Sequence, residues 1–386
     1  MSSPLLAYPS ARRAGAAAAR LSPTQLERYL SLRDLTDPAM GRHAIQLIVD
    51  KAVSTLAETW GCEVRWCPGP RIVTIADNYD NLGYEPAAVT RDTRYTRYVD
   101  AHRMLRSHST AMIPAALRQL ADEPVEDVLL VCPGMVYRRD AIGRIHTGTP
   151  HQLDLWRITT KTMDESELEA MIETLLDALV PQLQEVIEAR THPYTLAGRQ
   201  VDVVREGQRV EVWECGIAHP AALAQNGLNP SLAGLALGMG LDRLLMLAKG
   251  IPDIRALRAS DTRIAEQMGD LSPYRPVSGM PAIRRDLSLV VEPGREREDL
   301  GDTVRDALGA DADAVEDVTI LSETPCRELP PAALERLGAR AEQANLLIRV
   351  TLRHLERTLT DSEANEMRDR VYAALHQGAT HQWASR

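Results

Sequence analysis

The sequence predicts an α+β fold in which a mostly antiparallel sheet carries helices on one side. Short apolar runs rich in β-branched residues, such as residues 128–132, alternate with longer stretches of helical periodicity. Two strands at residues 201–205 and 209–215 flank a Glu-Gly pair and therefore predict a hairpin. A strand at residues 232–237 leads through glycines into a helix near Leu241, as expected where strands and helices share one domain.

The first structural unit is expected over residues 37–258. Asp37 predicts the start of an amphipathic helix over residues 39–60. An apolar stripe from Leu168 to Ile187 predicts a second long helix, kinked at Pro181. The other elements expected in this unit are a strand at residues 62–66, a helix at 109–120 and the strand at 128–132.

A second unit is expected over residues 277–386, after a linker at residues 259–276. Its pattern is that of a ferredoxin-like β-α-β-β-α-β domain. The expected order is a strand at 283–291, a helix at 297–308, strands at 315–321 and 345–355, a helix at 361–375 and a last strand within 379–386.

Residues 1–36 are expected to form an N-terminal tail. The first acidic residue is Glu27, and Arg12, Arg13 and Arg20 stand among alanines. This composition is typical of a disordered, alanine-rich tail, and it also resembles a targeting segment. Both interpretations remain open on sequence alone.

Composition narrows the function classes. The chain has 386 residues, 44% of them hydrophobic, which suits two or three domains with a sizeable core. A net charge of −10 argues against indiscriminate nucleic-acid binding, so any RNA contact must come from a local arginine face. Five cysteines without C-x-x-C spacing favour neither a zinc site nor a disulfide framework, and they fit a reducing cytoplasm. No apolar run is long enough to predict a transmembrane helix.

Two segments carry arginines in positions suited to phosphate binding. In residues 131–157, Arg138 stands near the end of a strand, and a second strand returns His151, Gln152 and Asp154 beside the first. An arginine next to such acceptors can grip a phosphate while an ammonium group is held nearby. In residues 234–243, three glycines mark a strand-to-helix turn with Arg243 one turn into the helix, although tight packing of small residues gives the same pattern.

Together these segments resemble those of class II aminoacyl-tRNA synthetases of the phenylalanyl type, in the single-chain form that carries a C-terminal ferredoxin-like anticodon-binding domain. The matching segments are MLRSHST at 104–110, PGMVYRRD at 133–140, IHTGTPHQLDL at 145–155, VEVWECGIAHP at 210–220, GLALGMGLDRLLMLAKGIPDIR at 234–255, YRPVSGMPAIRRDLSLVV at 274–291 and LERTLTDSEAN at 355–365. This similarity implies ATP-dependent activation of phenylalanine, or a close aromatic analogue, and its transfer to tRNA.

The resemblance assigns roles to individual residues. It makes Arg138 and Arg243 the catalytic arginines, and it implies Mg²⁺ held by pyrophosphate and water rather than by a dedicated protein metal site. The residues expected to bind ATP are Arg138, Asp140, His146, Gly238, Gly240 and Arg243. The residues expected to bind the amino acid are His108, Thr110, Gln152, Asp154, His192, Tyr194 and Ala236.

Several positions depart from the family pattern. His192 and Tyr194 stand where the family has phenylalanines, Pro150 replaces another, Asp154 shortens a glutamate and Glu214 replaces a glycine. Such a pocket can stack an aryl ring and can also hydrogen-bond a polar side chain. The alternatives are therefore a biosynthetic paralogue that makes an aminoacyl adenylate for a non-tRNA acceptor, or a non-catalytic tRNA-binding regulator.

The expected partners are the amino acid and tRNA, in particular phenylalanine tRNA, with no membrane association. The expected state is a monomer or a homodimer in the cytoplasm. The chain itself contains no phenylalanine. That absence would let a phenylalanine-charging enzyme be made when its charged tRNA is scarce, or it reflects neutral drift to Leu and Tyr.

Overall fold

The computed structural model describes residues 20–88, 91, 96–277 and 279–381. The strands before residue 277 are β1 (Glu63–Trp66), β2 (Ile72–Thr74), β3 (Arg97–Tyr98), β4 (Arg103–Leu105), β5 (Asp127–Met135), β6 (His151–Thr159), β7 (Gln184–Ala189), β8 (Thr195–Arg205), β9 (Gln208–Ala218) and β10 (Ala233–Gly240). The α-helices are α1 (Pro23–Ser31), α2 (Ala44–Trp60), α3 (Ile75–Asn78), α4 (Ile113–Leu120), α5 (Glu165–Leu179), α6 (Pro220–Gln225), α7 (Leu241–Lys249) and α8 (Thr262–Ala265).

Seven of these strands form one sheet in the order β1-β5-β6-β10-β9-β8-β7. Only the β1–β5 pair is parallel, and the other five pairs are antiparallel. The prediction of a mostly antiparallel sheet is therefore confirmed. A smaller sheet of β2, β4 and β3 lies between residues 72 and 105, where the sequence predicted no element.

The two faces of the large sheet have different coverings. Helices α2, α5 and α7 pack their apolar residues onto one face, where Ile48, Leu175 and Leu244 share a core with Leu155 of β6. On the opposite face, α4 covers only part of the sheet, around Leu117 and Trp156. The uncovered part of that face leaves room for a binding site.

The prediction of a long kinked helix through Ile187 is wrong. Helix α5 ends at Leu179, just before Pro181, and residues Gln184–Ala189 form the edge strand β7. Leu183 and Ile187 continued the helical spacing by coincidence, because a short exposed edge strand has little apolar alternation of its own.

Helix α2 begins later than predicted. Its N-cap is His43, whose Nδ1 accepts the Ile45 N–H at 3.2 Å. Asp37 instead caps a single 3₁₀ turn at Pro38–Met40. Helix α2 ends before Gly61 as predicted, and that glycine adopts the left-handed conformation. The predicted helix at 109–120 also begins later than expected, because Ser109–Met112 form a 3₁₀ turn that precedes α4.

Part of the predicted tail is ordered. Helix α1 opens with a capping box between Ser22 and Gln25, and its Tyr29 is buried against Tyr137 in an edge-on contact. The alanine-rich residues 1–19 lie outside the described part of the chain.

The C-terminal unit contains the first five predicted elements in order, with an additional helix between its second and third strands. Its elements are β11 (Ile283–Val291), α9 (Arg297–Leu308), β12 (Val315–Pro325), α10 (Pro331–Leu337), β13 (Ala344–Leu352) and α11 (Asp361–Leu375). The sheet order is β11-β13-β12, entirely antiparallel. For the predicted last strand, residues 379–381 are not in a strand and residues 382–386 are outside the described range. Instead, the Gln377 N–H donates to the Val290 carbonyl at 2.8 Å and so partly covers the β11 edge.

Helix α9 packs against the loop of residues 138–148, which joins β5 to β6. Arg305 donates to the carbonyls of Asp140 and Ala141, at 2.5 and 2.8 Å. Asp302 forms a buried ion pair with Arg97, whose guanidinium also donates to the Arg138 carbonyl at 3.2 Å. The C-terminal unit therefore fixes the backbone of this loop. Within the described residues, no helix has both the length and the apolar character needed to cross a membrane.

Candidate active site

The uncovered face of the large sheet carries a row of paired residues. Asp154 of β6 pairs with Gly238 of β10, and Gly238 pairs in turn with Glu214 of β9. Directly paired residues on neighbouring strands point to the same face. A Cβ at Gly238 would lie 3.5 Å from the Asp154 carboxylate, so the glycine leaves an open floor between the two acids. Gly240 pairs in the same way with Gln152.

Asp154 is buried and accepts several hydrogen bonds. The Ser109 hydroxyl and the Trp156 indole N–H, the latter at 3.3 Å, donate to its carboxylate. Burial raises its pKa to about 6 in spite of these donors and a further hydrogen bond with Thr110. Gln152 is fixed beside it, because its side-chain oxygen accepts the Ser109 N–H at 3.1 Å.

His108 stands next to this acceptor cluster. Its Nε2 lies 3.3 Å from the Asn78 amide, and its buried Nδ1 has no hydrogen-bond partner among the described residues. Burial lowers the pKa of His108 to about 3, with a further contribution from the charge of Arg138. The imidazole is therefore neutral at pH 7, and its free ring nitrogen is available to a substrate.

Arg138 and Arg243 form the cationic side of the site. The backbone N–H of Arg138 donates to the Gly148 carbonyl at 2.9 Å. In its side chain, the buried Nε has no hydrogen-bond partner within the described range. Burial lowers the pKa of Arg138; Asp140 opposes this effect and the charge of Arg243 adds to it. Arg243 lies in the first turn of α7. The positive charges of Arg138 and Arg243 repel each other, and an anion with several charged oxygens could bind to both.

The 138–148 loop places two more predicted residues here. Burial lowers the pKa of His146, the carboxylate of Asp140 raises it, and the charge of Arg243 lowers it further. Asp140 therefore lies within electrostatic reach of Arg138, and His146 lies within electrostatic reach of Arg243. Their contact with a nucleotide stays a prediction.

Aromatic rings line the far end of the row. His192 stacks on Tyr194 with ring centroids 5.3 Å apart, and Tyr194 lies 5.9 Å from Trp156 and 6.1 Å from Tyr84. Ala236 of β10 pairs with Trp156 and forms part of the same surface.

His192 and Glu214, two of the residues expected to depart from the family pattern, meet in this pocket. His192 Nε2 lies 2.9 Å from the Glu214 carboxylate, which also lies 2.7 Å from Arg190. Burial would raise the pKa of Glu214, but the hydrogen bond from His192 holds it below its ordinary value. His192 and Glu214 are therefore hydrogen-bond partners of each other.

The structure thus places Gln152, Asp154, Ala236, Gly238 and Gly240 on one sheet face, with His108, Thr110, His192 and Tyr194 packed nearby. Arg138, Asp140, His146 and Arg243 lie in the adjoining loop and in helix α7, and they are linked to this group through their charges. One residue of the first segment lies apart. His151 points to the opposite face, where Asp242 lies 3.2 Å from its Nδ1 and the Leu35 N–H donates to its Nε2 at 3.0 Å. It is fully buried and holds α7 against β6. Sequence reasoning missed Tyr84, Trp156 and Ser109, of which only Ser109 stood inside a quoted motif.

Comparison with known proteins shows the family of the chain. Residues 30–268 match the family described as "tRNA synthetases class II core domain (F)". A phenylalanine–tRNA ligase alpha subunit of Prochlorococcus marinus is 33% identical over 240 residues, covering 61% of this chain and 69% of the relative. A probable mitochondrial phenylalanine–tRNA ligase of Drosophila melanogaster is 26% identical over 362 residues, covering 78% of this chain and 75% of the relative.

Among solved structures, a pyrrolysyl tRNA synthetase of Desulfitobacterium hafniense aligns with a TM-score of 0.42 and 20% identity. It covers 61% of this chain and 78% of its own. The family match spans more than half of the chain and includes every strand of the large sheet. The chain therefore belongs to the family of class II tRNA synthetases, whose core domain it carries.

Proposed function

We propose that this chain activates phenylalanine with ATP to the aminoacyl adenylate and transfers it to phenylalanine tRNA. The observation that carries the proposal is that the charge of Arg138 acts on Arg243 and on His108, whose neighbour Ser109 is hydrogen-bonded to both Gln152 and Asp154. Cations close to acceptors for an ammonium group suit an amino acid whose carboxylate must meet a phosphate.

In the proposed reaction, the amino acid is held at both ends. Asp154 and Gln152 accept hydrogen bonds from the ammonium group, and His108 offers its free ring nitrogen nearby. Arg138 bridges the amino-acid carboxylate and the α-phosphate, while Arg243 binds the outer phosphates. The carboxylate oxygen attacks the α-phosphorus and pyrophosphate leaves. The two guanidiniums stabilise the negative charge spread over the phosphate oxygens, and no side chain has to move a proton.

Mg²⁺ is part of the proposal as a partner of the nucleotide. The described residues include no group of three or more His, Cys, Asp or Glu side chains placed to hold a metal ion. We propose that phosphate oxygens and water supply most of the metal ligands. When bound, the metal would neutralise charge on the leaving pyrophosphate.

The choice of phenylalanine and tRNA rests on the printed names of the relatives together with the aromatic pocket. Those names do not favour a non-tRNA acceptor or a non-catalytic regulator. We further propose a cytoplasmic protein that works as a monomer or a homodimer, with residues 277–386 as the anticodon-binding domain and residues 259–276 as the linker. A fluorescent fusion and light scattering of the purified chain test location and oligomeric state.

Amino-acid-dependent ATP–pyrophosphate exchange tests the reaction directly. With phenylalanine, the unchanged chain should catalyse exchange, and adding total tRNA should yield charged tRNA. Arg138→Gln and Arg243→Gln should each lower exchange by about 10²- to 10³-fold, because each removes a preorganised positive charge from the transition state.

Arg327→Gln is the matched control, since this arginine is largely exposed in the C-terminal unit and should leave exchange unchanged. Absence of exchange with phenylalanine, tyrosine and tryptophan would contradict the proposed reaction. Exchange without charging of any tRNA would instead support a different acceptor.

A further inference from the structure

Two cysteines lie side by side at the β1 edge of the large sheet. The parallel register of β1 and β5 ends with Trp66 opposite Val131, and the Cys67 N–H donates to the Val131 carbonyl at 2.8 Å. This hydrogen bond belongs to the Trp66–Val131 pair, and the next residues along the two parallel strands, Cys67 and Cys132, therefore lie side by side. Paired residues on adjacent strands are about 5 Å apart and point to the same face.

That spacing suits a covalent link. Disulfides form when the two Cα atoms lie about 4.4–6.8 Å apart and the side chains point toward each other. Both thiols are free, and they lie close enough for Cys132 to affect the pKa of Cys67. The Cys67 thiol also donates to the Arg65 carbonyl at 3.5 Å. Cys67 also packs against the apolar cluster that contains Cys132 and Trp156.

The two thiols differ in access and acidity. Cys67 is half-buried, whereas Cys132 is fully buried. The hydrogen bond from Cys132 lowers the pKa of the Cys67 thiol to about 7, and the same contact and burial raise the pKa of Cys132. At neutral pH the more accessible sulfur is therefore also the more nucleophilic one.

We propose that Cys67 and Cys132 are an oxidative modification site, at which a hydroperoxide converts the two thiols into a disulfide. The Cys67 thiolate attacks a peroxide oxygen, the O–O bond breaks, and the leaving oxygen departs as water or an alcohol after taking up a proton. The Cys132 sulfur then attacks the Cys67 sulfenic acid, the S–O bond breaks, and water leaves with the Cys132 proton. The thiol pair loses two electrons and the peroxide gains them.

The link would lie next to the substrate-binding acid. Cys132 pairs with Asp154 across β5 and β6, so Cys67, Cys132, Asp154 and Gly238 follow one another in a single row across four strands. In a disulfide the two sulfurs must approach to about 2 Å, which pulls the Cys132 side chain toward β1. The carboxylate on the other side of Cys132 then loses part of its packing. We therefore expect weaker binding of the amino acid in the oxidised chain.

Formation of the disulfide does not depend on the proposed function, whereas its effect on activity does. The full chain is reduced, treated with hydrogen peroxide, alkylated and digested without reductant for mass spectrometry. A peptide linking Cys67 to Cys132 is expected. In parallel exchange assays, the KM for phenylalanine should rise about fivefold or more, the lower end of typical coupling between sites, and dithiothreitol should restore it.

Variants identify the sulfurs responsible. Cys67→Ser should abolish both the linked peptide and the rise in KM, and it changes only a half-buried side chain. Cys62→Ser is the matched control, because Cys62 is also half-buried, beside the other end of β1, and its loss should leave the response intact.

Each outcome decides one claim. Oxidation of Cys67 without any link to Cys132 would overturn the disulfide. A complete link with an unchanged KM would overturn its coupling to amino-acid binding. If the reduced chain shows no exchange at all, the proposed function fails, and the mass spectrum still decides the disulfide.

Discussion

Asp154 is buried among three hydrogen-bonding side chains, and the proposed role requires it to be ionised so that it can hold an ammonium group. Its carboxylate accepts hydrogen bonds from Ser109 and Trp156. Burial is the reason that its pKa lies near 6 rather than near 4. Asp154 is therefore mostly ionised at neutral pH, but its pKa lies close enough to neutrality for mild acidification to protonate it.

Amino-acid binding should depend on this ionisation. As the pH falls below about 6, Asp154 becomes protonated, and the KM for phenylalanine should rise about tenfold for each further pH unit. Exchange assays between pH 5 and pH 8 (chosen to lie either side of about 6) measure this change. A KM that stays constant across this range would contradict the assigned role.

Asp154→Asn should separate binding from stability. Because folding raises the pKa of Asp154, its favourable contribution to stability is complete only below its ordinary pKa near 4 and is lost as the pH rises through about 6. At pH 8 the variant should therefore melt no lower than the parent chain, while its KM rises at least about tenfold. Asp286→Asn, at an exposed ion pair with Arg349, is the control for the substitution itself.

The sequence was informative about these residues where motifs were local. Arg138, Gln152, Asp154 and Arg243 stand in segments whose spacing already predicted a strand and a helix start. Tyr84 and Trp156 left no such signal. Tyr84 follows a short 3₁₀ turn in a stretch without periodicity, and Trp156 reads as an ordinary core residue of a strand. Their place in the pocket depends on contacts between distant parts of the chain.

Helices and strands with a strong apolar period were predicted well, whereas the edge strand β7 was not. The β5, β6, β9 and β10 strands are buried, so their pattern is clear, whereas edge strand β7 has one half-buried residue among exposed ones. Helix α9 shows a second limit. Its start and end follow from its sequence, but its contacts with Arg97 and the 138–148 loop join residues more than 150 positions apart.

Two aspartates one turn apart on α9 should contribute very differently to stability. Asp302 is buried with Arg97, so Asp302→Asn leaves a buried guanidinium without its counter-charge and should cost about 3–5 kcal/mol. Asp306 pairs with Arg28 at a largely exposed position, so Asp306→Asn should cost about 1 kcal/mol or less. Urea unfolding compares the two free energies, and equal losses would show that Asp302 does not hold the loop.

At the scale of the whole molecule, the 138–148 loop and the C-terminal unit share one hydrophobic core. Ile142, from the middle of the 138–148 loop, packs with Leu287, Leu346 and other core residues of that unit. The Val318 N–H approaches its carbonyl at 3.4 Å. The order of the loop therefore depends on a domain that lies more than a hundred residues later in the sequence.

Ile142→Ala should loosen both parts together. Removing a buried isoleucine side chain costs about 2–5 kcal/mol, and hydrogen exchange of residues 138–148 should become faster along with that of the C-terminal core. Ile145→Ala in the same loop is the matched control, because Ile145 is 38% exposed and its change should cost about 0.5 kcal/mol or less. Faster exchange in the control alone would contradict the shared core.

The pocket walls of Tyr84, Tyr194, His192 and Trp156 contain no phenylalanine, and neither does any other part of this chain. Phenylalanine labelled with ¹³C in its ring, added as a ligand, would therefore have a chemical environment that no residue of the protein shares. Its nuclear magnetic resonance spectrum would report occupancy, ring flipping and the ring currents of Tyr194 and Trp156 directly. Because the protein contains no phenylalanine, no phenylalanine residue of the chain adds a signal to the spectrum of its proposed substrate.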